Sequence, residues 1–128
     1  MERSVVLVDT SIWVDHLRKG NSGLVSLLDD GAVVCHPFIV GELACGVMTN
    51  RVQILSLLQA LPKADTASPD EVLLFIDNRG LAGKGLGYVD THLLASAVLT
   101  GVPLWTLGKK LQRAAAGLRA AYAQAAET

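Results

Sequence analysis

Runs of apolar residues alternate along this chain with helix-period segments. Val5-Val6-Leu7-Val8 is a short, fully apolar, β-branched run, and with Ser4 it predicts a strand covered on both faces. Asp9-Thr10-Ser11 breaks the run and offers three side chains able to cap a helix. The next helix is predicted over residues 11–18, with Ile12, Trp13 and Leu17 as its apolar set. A loop through Lys19-Gly20-Asn21-Ser22-Gly23 leads to a helical piece over 24–28. Ala32-Val33-Val34-Cys35 predicts a second buried strand. His36-Pro37 then opens a helix running through Val40, Leu43, Ala44 and Val47, with proline suited to its first turn.

Residues 50–61 predict a helix that Pro62 ends, and residues 63–67 a short edge strand. Ser68-Pro69-Asp70-Glu71 carries a cap, a first-turn proline and a glutamate three residues after the cap, so a helix is predicted from there to about Arg79. A glycine-rich loop spans 81–87, and a helix from Asp90 stops at Gly101. Val102-Pro103-Leu104-Trp105-Thr106 predicts the next strand, and residues 109–126 an alanine-rich helix. Strands alternating with helices predict an α/β fold with a central parallel sheet.

The length of 128 residues fits one domain over 1–128 with a single core. A hydrophobic share of 51% feeds that core, while an aromatic share of 5% argues against a protein that stacks many bases. The net charge of −1 gives no global basic field, so nucleic-acid binding would rest on a local patch. Cys35 and Cys45 lie in apolar surroundings without metal-binding spacing and read as buried thiols of a reducing compartment. No signal peptide is visible, and no apolar stretch reaches the roughly 18 residues that span a bilayer. The expectation is a cytoplasmic protein without a membrane anchor.

In this fold a helix next to a strand starts at the edge where the strands end, which is where α/β proteins bind ligands. Asp9 directly follows the first strand. Glu42 lies in the helix after the second, roughly 8 Å along its axis from the start. Asp90 is in the first turn of the helix before the last clear strand. Taken singly, Asp9 and Asp90 read as helix caps and Glu42 as a solvated residue. Taken together, three carboxylates at one edge repel one another, and a hard divalent ion such as Mg²⁺ or Mn²⁺ relieves that repulsion. Such a site can bind a phosphodiester and activate water. Asp29, Asp30, Asp65, Asp77 and Glu127 have no comparable placement and read as surface.

Val6-Leu7-Val8-Asp9-Thr10-Ser11-Ile12-Trp13 resembles the opening of PIN-domain ribonucleases, especially VapC-type toxins. Val40-Gly41-Glu42-Leu43 with Gly46 resembles the family's second acidic motif, and the segment from Gly85 to Ala97 around Asp90 resembles the third. Leu104-Trp105-Thr106 resembles the strand before the fourth. The resemblance implies a three-layer α/β/α sandwich, RNA cleavage with Mg²⁺ or Mn²⁺, a homodimer and a cognate VapB-like antitoxin. It carries the family's acids onto Asp9, Glu42 and Asp90 and the adjacent hydroxyl onto Thr10, with Ser11 ordering the turn. Gly108 stands where family members often have a fourth Asp, and no nearby acid replaces it. That leaves either one metal on three acids, with Thr106 or water filling in, or a weak activity.

Lys109, Lys110, Arg113 and Arg119 form a basic set beside this site and read equally as phosphate contacts or as a solvated helix face. Lys84 in the glycine loop is a weaker case. His16, His36 and His92 match no catalytic or metal spacing; they read as structural or exposed, with His92 close enough to Asp90 to reach the cleft. Trp13 and Trp105 read as core or interface residues rather than base-stacking groups. Gly83-Lys84-Gly85-Leu86-Gly87 lacks the spacing of a phosphate loop. Two rivals remain: a catalytically weak or inactive PIN-like module that binds RNA or a partner, and a flavodoxin-like scaffold.

Overall fold

The computed structural model describes residues 5–123, so Ser4, the end of the predicted last helix and Glu127 lie outside the described residues. The elements run β1 (Val6–Val8), α1 (Thr10–Lys19), α2 (Ser22–Asp29), β2 (Val33–Val34) and α3 (Pro37–Ala44). They continue with α4 (Arg51–Ala60), α5 (Pro69–Asn78), α6 (Tyr88–Thr100), β3 (Leu104–Trp105) and α7 (Lys109–Gly117). The strands form one parallel sheet in the order β2-β1-β3. β1 is therefore the middle strand. All three of its side chains are fully buried, which is why its sequence is continuously apolar rather than alternating.

Helices cover the sheet: α3 packs on α1 and on α4, α5 packs on α6, and α6 packs on β3. Residues Thr91 to Ala97 of α6 are all buried, so this helix is enclosed rather than amphipathic. Gly101, at φ 75°, ends it in the left-handed conformation that glycine adopts without penalty. Ser68 and Glu71 form the predicted reciprocal cap at the start of α5. Trp13 and Trp105 are buried.

Several expectations need correction. Leu17 is 38% exposed at the rim of a surface trough instead of in the core. α3 stops at Ala44 and the chain turns off, which leaves Val47 fully exposed and Cys45 an exposed rather than buried thiol. The predicted edge strand at 63–67 is a single parallel bridge between Lys63 and Cys35. The last helix ends at Gly117, not at 126. The chain then returns to the sheet, where Ala121 makes a parallel bridge to Leu104.

Candidate active site

Asp9 follows the last residue of β1 and caps α1, because an aspartate there can accept from the first free N–H groups of the helix. Its Oδ2 accepts from Thr106 Oγ1 at 2.7 Å, from Ser11 Oγ at 2.8 Å and from the Ser11 N–H at 3.4 Å. Ser11 Oγ in turn accepts from the Leu107 N–H at 3.0 Å, and Thr106 Oγ1 accepts from the Gly108 N–H at 3.0 Å. The end of β1 is thus laced to the end of β3 by hydroxyl groups. Gln112 Nε2 fixes the same corner by donating to the Thr106 carbonyl at 2.7 Å.

Asp90 is not the cap of α6 but its third residue, and its Oδ2 accepts from the Gly87 N–H at 3.1 Å. Among the described residues, all the hydrogen bonds to these two carboxylates fall on Oδ2. Each is anchored by one oxygen, and Asp9 is buried. Asp9 and Asp90 line one open cleft together with Ser11, Thr106, Gly108, Lys109 and Lys110.

Glu42 stands apart from that cleft. It is exposed on α3, and Thr10 Oγ1 donates to its Oε1 at 2.6 Å. Thr10 and Glu42 line a neighbouring groove with Val14, Leu17 and Ile54. The structure therefore puts Asp9 and Asp90 in the lining of one cleft and brings Glu42 only to the residue after Asp9. Among the described residues, no three carboxylate, imidazole or thiol groups are grouped closely enough to hold a metal by themselves. The donor chemistry of the cleft, two anchored carboxylates with hydroxyls beside them, is that of hard-cation sites.

Lys109 and Lys110 begin α7, whose first turn holds no acid and whose cap residue, Gly108, gives no side-chain bond. Cations at a helix N-terminus oppose the helix dipole, so this placement costs stability and concentrates positive charge at the cleft. Arg113 lies one turn further on α7, outside the acid cleft. Arg119 is exposed beyond the end of α7, in the left-handed region at φ 58°, and is not among the residues lining the cleft.

Nor is His92 among the cleft-lining residues; it is buried, with its ring 4.7 Å from Phe38 and 4.6 Å from Tyr88, both edge-on. His36 is buried beside Phe38 and caps α3, its Nδ1 accepting from the Phe38 N–H at 3.0 Å. Burial, with His92 nearby, pushes the His36 pKa down to about 4, and burial lowers that of His92. Both imidazoles are structural. Sequence reasoning missed Gln112 entirely, and it had no signal: a glutamine on a helix face looks the same wherever its amide points.

A second feature lies along α1. Trp13, Leu17, Ile54, Leu57 and Leu61 line an apolar trough that shares Leu17 and Ile54 with the groove holding Thr10 and Glu42.

The model of the PIN domain matches residues 6–117 of this chain. The chain is 43% identical over 121 residues to Ribonuclease VapC32 of Mycobacterium tuberculosis, in strains CDC 1551 / Oshkosh and ATCC 25618 / H37Rv. That alignment covers 94% of this chain and 98% of the relative. Its fold is similar to that in the crystal structure of PAE2754 from Pyrobaculum aerophilum, with a TM-score of 0.58 at 17% identity, over 89% of this chain and 81% of the other.

Proposed function

This chain belongs to the PIN-domain family, and from that premise we propose that it is an endoribonuclease, the toxin of a VapBC-type toxin–antitoxin pair. The observation that carries the proposal is the cleft lined jointly by Asp9, largely buried and fixed by Thr106 and Ser11, and by Asp90, Lys109 and Lys110. Negative charge that can take a hard cation and positive charge that can take a phosphate share one opening.

Asp9 and Asp90 would hold Mg²⁺ or Mn²⁺, with Glu42 reaching it through water. Such an ion supplies charge stabilisation on the phosphate and a more acidic bound water. Lys109 and Lys110 position the phosphodiester. Thr10 orients the Glu42 carboxylate by its hydrogen bond. A water polarised by a carboxylate attacks phosphorus in line; its oxygen bonds to phosphorus, the bond to the leaving oxygen breaks, and that oxygen takes up a proton.

The apolar trough along α1 and α4 suits a cognate VapB-like antitoxin, since an apolar segment laid there would arrive beside Glu42. The same reading gives a homodimer, checked by light scattering. It also places the protein in the cytoplasm, where Cys35 and Cys45 are free thiols. No helix among the described residues is long and apolar enough to cross a membrane.

The test is cleavage of RNA in Mg²⁺ or Mn²⁺ by the intact protein and by Asp9→Asn and Asp90→Asn. Loss of cutting in both variants supports the assignment; equal cutting refutes it. The second reading is a catalytically inactive binding module, and Gly108, where a further acid would stand, favours it. Growth arrest on expression that Asp9→Asn relieves decides for the enzyme.

A further inference from the structure

Next to the acid cleft lies a second depression of different character. Three separate segments build it: the end of α5 with Arg79, the glycine loop with Leu81 and Lys84, and α7 with Lys110, Arg113 and Leu118. Four of its lining residues are cations and none is an acid, although the chain as a whole carries a net charge of −1. A merely solvated surface intersperses the two signs. Here the cations are segregated, and among the described residues none of the four is in an ion pair. Lys110 and Arg113 lie three residues apart on α7 and therefore share one face. The Arg79 guanidinium lies 5.6 Å from the centre of the Phe75 ring.

Lys110 lines both depressions, so they meet at its side chain. That side chain lies across Gly85. A Cβ there would stand 2.7 Å from Lys110 Cδ and 2.9 Å from Nζ, and Gly85 has φ +78°. The glycine thus lets the loop close under the lysine. The basic depression measures about 380 Å³, at the small end of ligand-sized clefts, and is open to solvent along the surface. Leu81 and Leu118 add apolar lining to it.

We propose that this depression is a second phosphate-binding subsite. An RNA strand whose scissile phosphate occupies the acid cleft passes over Lys110 and places a further backbone phosphate among Arg79, Lys84 and Arg113. The subsite reads no base; it sets the path of the strand on one side of the cut and favours single strands long enough to span both depressions. The inference rests on the ribonuclease reading above and adds the route of the substrate to it.

The experiment uses the full chain carrying Asp9→Asn, so that RNA is bound without being cut, with fluorescein-labelled oligouridylates of 3 and 12 nucleotides over a salt series. Arg79→Ala, Lys84→Ala and Arg113→Ala are combined in that background, and a thermal melt checks folding. For the 12-mer the Kd is expected to rise about 10-fold, and the slope of log K against log salt to fall by about 0.7, the share of the one single-strand phosphate that the subsite holds. The 3-mer is expected to bind as before. An unchanged Kd and slope for the 12-mer overturn the subsite, and so does an equal loss for both lengths, which places the cations at the cleft itself. If the triple variant melts early, Lys84→Glu alone, on the exposed loop, takes its place with the same readings. If the intact protein neither cuts RNA nor, as Asp9→Asn, binds either oligonucleotide, it is the ribonuclease reading that falls. If it cuts RNA and the 12-mer readings stay unmoved, the subsite alone falls.

Discussion

Thr106 Oγ1 donates to Asp9 Oδ2 at 2.7 Å across 97 positions of sequence, in a buried setting. The bond joins the ends of two neighbouring parallel strands at the point where each leaves the sheet. Ser11 holds the same oxygen from beside it, its Oγ 3.3 Å from Thr106 Oγ1.

Thr106→Val keeps the shape of the side chain and removes both the donor to Asp9 and the acceptor for the Gly108 N–H. The expected cost is about 1–2 kcal/mol of stability in urea unfolding. The misoriented carboxylate is expected to lower kcat by about 10- to 100-fold, with KM nearly unchanged. Steady-state cleavage of a short RNA separates the two constants.

Gly108 has φ −71° and is the cap residue of α7, so a side chain is tolerated there; its Cβ would meet Thr106 Oγ1 at 3.4 Å. Gly108→Asp adds a carboxylate to the cleft and a better cap to the helix. The Mn²⁺ concentration giving half-maximal cleavage is expected to fall by about 10-fold. A metal titration of the rate measures it, and an unchanged or higher requirement contradicts the role given to this cleft.

The apolar stretch Val6-Leu7-Val8 ended by Asp9, the Ser68–Glu71 cap and the stop at Gly101 were all legible, because each is a local signal read off neighbouring residues. Asp9 and Asp90 were placed at one edge because the alternation of strands and helices dictates where helices begin. Glu42 shows the limit of that logic. Counting along a helix gives height but not the direction in which a residue faces across the site, and Glu42 turned to Thr10 rather than into the cleft with Asp90. The return of Ala121 to the sheet was invisible for another reason. It pairs through the backbone with Leu104, and alanine looks equally suited to continuing the helix.

His36 ties stability to pH. Its pKa is about 4 in the folded chain against an ordinary value of 6.5, so the unfolded chain binds the proton first. The stabilisation is complete above pH 6.5 and is lost as pH falls from there toward 4, by up to about 3 kcal/mol. Protonating Nδ1 also removes the acceptor that holds the Phe38 N–H. His36→Asn retains a capping oxygen without titrating. Thermal melts from pH 7 to 4.5 are expected to fall less steeply in the variant than in the parent.

Ser68→Ala removes a capping bond at α5, where neither Ser68 nor Glu71 lines the acid cleft. The melting temperature is expected to drop by the equivalent of about 1 kcal/mol while the cleavage rate at 25 °C stays the same. A fall in rate would mean that α5 influences the cleft over a distance.

Because Asp9 directly follows the middle strand of the sheet, the residue proposed to hold the metal adjoins the part of the molecule expected to open last. Heating should therefore abolish cutting and native structure in a single step, with no temperature window in which a folded but silent protein accumulates.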